Sequence, residues 1–190
     1  AGFTGKAIED GLAAQGIHTD FIHLPEGNSR INVKVKHGDE TEIKGQGPVI
    51  TEEAINELFA KLDTLTDEDI LVLTGSIPNT LPEDIYEKIL ASLESKGIRI
   101  VVDATKDLLL NVLKYHPFLI KPNNHELGEM FGTVCKTDED IVHYAKKLQE
   151  KGAVNVLISM AGDGAILITE DGQNIKMGTP KGKVVNSVGA

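Results

Sequence analysis

Four short apolar segments between residues 70 and 159 alternate with segments that carry apolar residues at helical spacing. This alternation constrains the fold most, because a buried strand, a helix and a second buried strand close as a parallel βαβ unit. The predicted strands cover residues 70–73, 98–102, 118–120 and 154–159. Their continuous apolar character predicts burial on both faces. We therefore predict an α/β fold, with a mostly parallel sheet and helices on both faces.

Capping residues and apolar spacing predict the helices and one further hairpin. Residues 165–169 and 174–177 are predicted to pair around a turn at residues 170–173. The predicted helices cover residues 4–16, 108–113 and 124–131, and others follow Thr51, a capping box at residues 80–83, and Thr137.

Residues 17–47 carry a different pattern, which predicts a small β lid inserted into a single domain of residues 1–190. Ile31, Val33 and Val35 alternate with polar residues, as expected of a strand with one dry face. A turn at residues 37–40 leads to a returning strand at 41–44, and residues 21–24 are predicted as another short strand. So thin a sheet needs a partner surface, either the domain body or a second copy of the protein.

Charge and cysteine content narrow the class of partner and the compartment. The net charge is −10 and no run of Lys or Arg stands out, so neither nucleic acid nor a membrane surface is expected as a partner. No stretch approaches the roughly 18 apolar residues of a membrane span. The single cysteine, Cys135, predicts a reducing, cytoplasmic location.

The residues that follow the predicted strands are the candidates for chemistry, because ligands of parallel sheets bind beyond the carboxyl ends of the strands. Lys121 is suited to a phosphate, and Asn123 and Glu126 are suited to Mg²⁺ or its water shell, although a surface lysine and a helix cap explain the same residues. Asp103 ends another strand and either faces a substrate or caps the next turn. Residues 74–78, 159–164 and 187–190 end the other strands, and the turn at 159–164 matches neither a P-loop nor a dinucleotide fingerprint.

In the lid, Arg30 begins the alternating strand and would suit a phosphate if it faces a pocket, whereas facing water it belongs to a solvated face with Asn32 and Lys34. The six histidines have no metal-ligand spacing, so no zinc site is predicted.

Together these stretches resemble the PfkB carbohydrate-kinase family, which has the ribokinase fold, and within it the 1-phosphofructokinase and tagatose-6-phosphate kinase subgroups. The resemblance is carried, in order along the chain, by residues 2–5, 29–34, 74–78, 121–123 with Glu126, 159–164 and 185–190. It implies an ATP-dependent, Mg²⁺-requiring kinase that phosphorylates a sugar phosphate, foremost fructose 1-phosphate to fructose 1,6-bisphosphate. Tagatose 6-phosphate and fructose 6-phosphate are alternative substrates, and a non-catalytic nucleotide- or sugar-phosphate-binding module is the alternative function.

The resemblance also implies roles for individual residues. Arg30, Asn32 and Ser76 would contact the sugar phosphate. Asn123 and Glu126 would organise magnesium, partly through water, and Gly189 and Ala190 would begin an anion hole of backbone N–H groups. The residues that would bind or border ATP are Lys121, Asn123, Ser159, Met160, Ala161, Gly162, Asp163 and Gly164.

The family pattern also extends past what this sequence contains. The catalytic Asp of the family's G-A-G-D turn would follow Ala190 by two positions, so the chain is expected to be a central fragment, incomplete at both ends and inactive alone. The lid would cover the sugar, and a homodimer through the lid is the expected assembly.

Overall fold

The computed structural model describes residues 1–37, 39–75, 77–104 and 106–182. These residues divide into two compact units. Unit one comprises Ala1–Asp63 and Pro78–Pro82, and unit two comprises Thr64–Ile77 and Glu83–Gly182. A single domain over residues 1–190 with a lid at 17–47 stays a prediction.

Unit one contains two helices and a two-stranded antiparallel sheet. Its elements are α1 (Gly2–Ala14), β1 (Asn32–His37), β2 (Asp39–Lys44) and α2 (Glu52–Asp63). Ser29 ties the start of α1 to the segment that leads into β1, because the Ala1 amino group donates to Ser29 Oγ at 3.0 Å and the Thr4 hydroxyl donates to Ser29 O at 2.8 Å. The predicted cap of α2 also forms, since Ala54 N donates to Thr51 Oγ1 at 3.3 Å.

The predicted pairing of β1 with β2 is confirmed, but the face predicted to be dry is exposed in unit one. Val33 lies opposite Ile43, and Val35 lies opposite Thr41. Val33 and Val35 are each 45% exposed and Ile43 is 58% exposed. Period-two alternation therefore identified the apolar face correctly, but it could not show whether another surface covers that face.

The strand predicted at residues 21–24 was wrong, because this segment forms no strand. Ile22 and Leu24 are half-buried, whereas Phe21 and His23 are exposed. Side chains anchor the segment in place of a ladder, as in the 2.9 Å contact between His23 Nε2 and Glu9 Oε2 of α1.

Unit two is built on a six-stranded sheet whose strands lie in sequence order, β3 to β8. The strands β3 to β6 pair in parallel, and β7 and β8 follow antiparallel. The elements are β3 (Ile70–Thr74), α3 (Ile85–Leu93), β4 (Arg99–Asp103), α4 (Lys106–Val112), β5 (Leu119–Ile120), α5 (Asn124–Met130), α6 (Asp138–Glu150), β6 (Asn155–Ser159), β7 (Ala165–Ile168) and β8 (Asn174–Met177). This confirms the predicted α/β class, the mostly parallel sheet and the hairpin at its end.

The middle strands carry the core of unit two. Val102, Ile120 and Val156 lie on three neighbouring strands and are fully buried, and Leu109 of α4 and Leu148 of α6 are equally buried. Burial of such side chains stabilises the fold by about 1.5–3 kcal/mol each. The carboxyl ends of β4, β5 and β6 are therefore held on a rigid base.

Strand β3 departs from its prediction of burial on both faces. Ile70 is 54% exposed and Val72 is 56% exposed, since β3 is the edge strand of the sheet that the described residues form. A run of apolar residues predicts a strand, but its place in the sheet depends on which neighbours pair with it.

The capping box predicted at residues 80–83 was also wrong. Helix α3 begins at Ile85, and its N-cap Asp84 makes no side-chain capping bond. The Thr80 hydroxyl instead donates to Pro48 O at 3.3 Å within unit one. A tertiary hydrogen bond has replaced the local one.

Candidate active site

The carboxyl ends of the four parallel strands bring polar residues of unit two to one edge of its sheet. Thr74 at the end of β3 is in register with Asp103 at the end of β4. Lys121 directly follows β5, and Asn123 forms an isolated parallel bridge with Ser159 at the end of β6. Ligands bind at such an edge because the strand ends leave backbone groups and side chains facing outward.

Lys121 and Asp103 form an ion pair across the ends of β4 and β5. Lys121 Nζ lies 3.1 Å from Asp103 Oδ2, and the two side chains are 41% and 37% exposed. The Lys121 backbone is fixed as well, since its N–H donates to Val102 O at 3.1 Å. Because the Lys121 ammonium is partly exposed and is held in place by a carboxylate, an anionic ligand can still reach it. The sequence left two roles open for Asp103, facing a substrate or capping the next turn, and neither includes this ion pair.

Asn123 and Glu126 hold each other in a capping box at the start of α5. Asn123 Oδ1 accepts from His125 N at 2.9 Å and from Glu126 N at 2.8 Å, while Glu126 Oε2 accepts from Asn123 N at 2.8 Å. Both residues are half-buried. The helix cap, which the sequence offered as one explanation of these residues, is thus present.

The capping box does not use every polar atom of the pair. It leaves the Asn123 amide nitrogen and the second Glu126 oxygen, Oε1, outside the capping bonds. Amide and carboxylate groups suit a hard cation or its water shell. Within the described ranges no three His, Cys, Asp or Glu side chains form a cluster that could hold a metal ion.

The turn at residues 159–164 lies beside this helix start. Ser159 N donates to Pro122 O at 3.2 Å, which fixes the end of β6 against the Lys121–Asn123 segment. Met160 N donates to Gly164 O at 2.8 Å and closes the turn, and the Thr179 hydroxyl donates to Gly162 O at 2.9 Å. Ala161, Gly162 and Asp163 are exposed. The predicted strand-to-strand turn is confirmed, and its exposed backbone is accessible to a ligand.

Gly164 is required by the shape of this turn. Its φ is +91°, and a Cβ at this position would lie 1.9 Å from Met177 O on β8. Ala161 also has a positive φ, of 48°, which is uncommon for a residue with a side chain. Gly164 therefore suits the turn, whereas Ala161 is held in a backbone conformation that its side chain does not favour.

Tyr86 of α3 contacts the same edge and was missed from sequence. It is only 9% exposed, and its hydroxyl donates to Thr74 O at 3.0 Å and to Gly75 O at 3.2 Å. Burial, with the charge of Asp103 adding to it, raises the pKa of the hydroxyl. The available signal was a tyrosine directly after the first apolar residue of α3, since a buried tyrosine hydroxyl needs a hydrogen-bond partner.

Other predicted site residues lie in unit one or outside the described residues. Arg30 is exposed just before β1, and Asn32 begins β1 opposite Lys44 on the polar face of the two-stranded sheet. Ser76, Gly189 and Ala190 lie outside the described residues. The structure thus brings together Lys121, Asn123, Glu126 and the 159–164 turn in unit two.

Comparison with known proteins connects this site to a family. The family model described as pfkB family carbohydrate kinase matches residues 1–190. The chain is 49% identical over 189 residues to the 1-phosphofructokinase of Bacillus subtilis strain 168, covering 100% of the chain and 62% of that protein. It is 37% identical over 187 residues to the D-tagatose-1-phosphate kinase of Bacillus licheniformis, covering 98% of the chain and 61% of that protein.

A solved structure agrees with these relatives. The crystal structure of a Staphylococcus aureus protein assigned as a phosphofructokinase superposes with a TM-score of 0.84 at 45% identity, over 99% of the chain and 61% of that structure. The chain thus spans about three fifths of the length of the relatives that it matches. Because the family model covers every residue, the chain belongs to the pfkB family of carbohydrate kinases.

Proposed function

We propose that the protein containing this chain is an ATP-dependent kinase that phosphorylates a sugar phosphate, foremost fructose 1-phosphate to fructose 1,6-bisphosphate. The observation that carries the proposal is the Lys121 ammonium, which lies at the carboxyl end of β5, pairs with Asp103 at 3.1 Å and has 41% of its side chain exposed. Phosphoryl transfer depends mainly on positioning and on stabilising charge on the phosphate oxygens. A fixed, accessible cation at a strand end suits that task.

Around Lys121, each remaining residue has a proposed part. The exposed turn of Ser159, Met160, Ala161, Gly162, Asp163 and Gly164 would border the nucleotide, with Asn123 also near the phosphates. Arg30 and Asn32 would hold the phosphate of the sugar, and Ser76 would lie near the substrate. Gly189 and Ala190 would begin the backbone anion hole, and no general base is assigned among residues 1–190.

Magnesium is the proposed metal. When bound, it would supply positive charge that offsets the negative charge of the ATP phosphates. Asn123 and Glu126 would hold its water shell through the polar atoms that the capping box leaves over. The capping bonds would keep both side chains oriented before any ligand arrives, which lowers the cost of binding.

Substrate choice is proposed from the relatives. The 49% identity to a 1-phosphofructokinase favours fructose 1-phosphate, and the 37% identity to a D-tagatose-1-phosphate kinase keeps a tagatose phosphate as the alternative. Among the described residues, no helix is long and apolar enough to cross a membrane. Because these 190 residues contain a single cysteine, a reducing, cytoplasmic location is proposed for the protein.

Release of ADP by the whole protein, measured across fructose 1-phosphate, fructose 6-phosphate and the tagatose phosphates, tests the function. The decisive variant is Lys121→Met, which we expect to lower kcat/KM at least 100-fold, the order found when one charge-stabilising group is removed. Lys114→Met is the matched control, because Lys114 is also solvent-exposed and pairs with Glu87 at 2.7 Å, but precedes β5 instead of following it. Lack of activity of the wild-type protein on every sugar phosphate would refute the function and favour a binding module.

A homodimer through the two-stranded sheet is also proposed. Ile31, Val33, Val35 and Ile43 form one exposed apolar face there, each at least 45% exposed, and such a face is commonly an interface. Val35→Glu is expected to shift the sedimentation of the whole protein toward the monomer. An unchanged sedimentation coefficient would mean that the face is covered in another way.

A further inference from the structure

We infer that Tyr86 is a positioning residue, which fixes the backbone of Thr74 and Gly75 where the chain leaves β3. The inference deepens the proposed kinase function and rests on it for the identity of the substrate. Tyr86 has no part in the roles proposed above, and it reaches the candidate site from α3.

The hydroxyl of Tyr86 binds two consecutive backbone carbonyls. It donates to Thr74 O at 3.0 Å and to Gly75 O at 3.2 Å. These carbonyls belong to the last residue of β3 and to the first residue beyond it. One hydroxyl proton shared by both oxygens holds the chain at the point where it leaves the sheet.

The other side of this turn is also fixed. Gly75 N donates to Asp103 O at 3.2 Å, so Gly75 is bound through its carbonyl to α3 and through its N–H to β4. Its φ of +91° is one that L side chains rarely adopt. Because glycine alone tolerates many backbone conformations, the two bonds select one of them.

The fixed turn lies next to the proposed chemistry. Asp103 pairs with Lys121, the proposed phosphate ligand, at 3.1 Å, and the next residue along the chain is Ser76, the proposed substrate contact. Tyr86 would therefore affect substrate binding through the backbone of Thr74 and Gly75, without touching the substrate itself. Its effect should fall on the sugar phosphate and spare ATP, whose proposed contacts follow β5 and β6.

The variant Tyr86→Phe tests this inference, because it removes the hydroxyl and keeps the buried ring. Tyr144→Phe makes the same change on α6, where Tyr144 stacks with Phe131 at 5.0 Å, and serves as the control. Hydrogen exchange of the Gly75 amide in the whole protein is the first measurement, with β6 amides as the reference for global opening. We expect about fivefold faster exchange at Gly75 in Tyr86→Phe, the factor for one hydrogen bond of average strength, and no change in Tyr144→Phe.

Steady-state kinetics is the second measurement. Tyr86→Phe is expected to raise KM for the sugar phosphate about fivefold while KM for ATP stays within twofold. A purely structural tyrosine would lower the melting temperature and leave the two KM values in the same ratio.

The outcomes separate the two proposals. If the Gly75 amide exchanges at the same rate in Tyr86→Phe as in the wild type, the Tyr86 hydroxyl does not fix the turn, whether or not the wild-type protein is a kinase. Faster exchange with both KM values unchanged overturns the positioning role. A wild-type protein that is inactive on every sugar phosphate refutes the proposed function and with it the substrate assignment. The exchange experiment still shows whether the Tyr86 hydroxyl fixes the turn.

Discussion

Helices α5 and α6 begin with the same capping geometry in two different surroundings. Each N-cap is extended and its side chain accepts from the N3 amide, while the N3 carboxylate accepts from the N-cap amide. At α5 the pair is Asn123 and Glu126, and at α6 it is Thr137 and Asp140. Capping by itself accounts for both pairs, since each satisfies backbone donors that a helix start leaves unbonded.

The two boxes differ in position and in one side-chain group. Asp140 Oδ2 accepts from the N–H groups of both Lys136 and Thr137, at 3.0 and 3.1 Å, so Asp140 Oδ1 lies outside these capping bonds as Glu126 Oε1 does. The Asn123–Glu126 box lies directly beyond β5 and also leaves the Asn123 amide nitrogen over. Two helix starts with equal capping therefore provide an internal control for function.

The largest expected effect comes from Glu126→Gln. Glutamine also forms capping boxes, so α5 should keep its start, but the negative charge proposed to organise magnesium is lost. We expect kcat/KM of the whole protein to fall at least 100-fold with little change in melting temperature.

Asp140→Asn removes the same charge from the α6 box and should leave kinase activity unchanged. If Glu126→Gln retains activity within a factor of about three, well inside the loss expected for a charge-stabilising group, Glu126 is only a cap and the two boxes are equivalent.

Asn123→Asp is expected to have the next largest effect. Aspartate is as good an N-cap as asparagine, so the free energy of unfolding should change by no more than about 0.5 kcal/mol. The amide NH₂ is replaced by a charged oxygen beside the proposed phosphate site, and kcat/KM should fall roughly tenfold through a weaker interaction with ATP. Urea unfolding and steady-state kinetics on the same preparation measure both quantities, and a loss of stability without a loss of activity would contradict the prediction.

Thr137→Ala should produce the opposite result. Loss of the N-cap hydroxyl is expected to lower the free energy of unfolding by about 1 kcal/mol, because the Asp140 N–H loses its acceptor. Activity below the unfolding transition should not change. Thr137→Ser keeps the hydroxyl and is the matched control in urea unfolding, where a drop as large as that of Thr137→Ala would show that the methyl group matters more.

Local patterns predicted the parts of the fold that depend on local physics. Thr137 and its helix, the β7–β8 hairpin and the end of β4 at Asp103 all follow from capping, turn and burial patterns within a few residues, and the structure confirms them. The failures are tertiary. The Thr80 hydroxyl bonds to Pro48 O in place of capping α3, and residues 21–24 form no strand.

The candidate site was predictable to the same extent. Residues next to one strand end, such as Lys121, Asn123 and Glu126, are close in sequence, so their meeting could be foreseen. The contact of Asp103 with Lys121 joins residues 18 positions apart and depends on which strands are neighbours in the sheet. The contact of Tyr86 with Thr74 joins residues 12 positions apart and depends on how α3 packs against β3. No spacing rule connects such residues before the tertiary arrangement is known.

The smallest expected effect concerns pH and the α6 box. Backbone hydrogen bonds from Lys136 and Thr137 lower the pKa of Asp140 below its ordinary value of 3.8. A carboxylate whose pKa is lower in the folded state stabilises that state fully above the ordinary pKa, and the contribution is lost as the pH falls through the lowered value.

The gap in unfolding free energy between the wild type and Asp140→Asn should therefore be constant near neutral pH and shrink from about pH 4 downward. The carboxylate at Asp140 is screened by solvent, which keeps this effect below that of the lost Thr137 hydroxyl. Urea titrations of both proteins between about pH 6 and about pH 3 measure the gap, and the subtraction removes the other carboxylates that titrate in this range. A gap that stays constant down to the lowest pH would mean that the Asp140 charge contributes nothing to the cap. The α6 box would then stabilise the helix through the Thr137 hydroxyl alone. By comparison, capping would not explain why the α5 box contains a charged residue, Glu126.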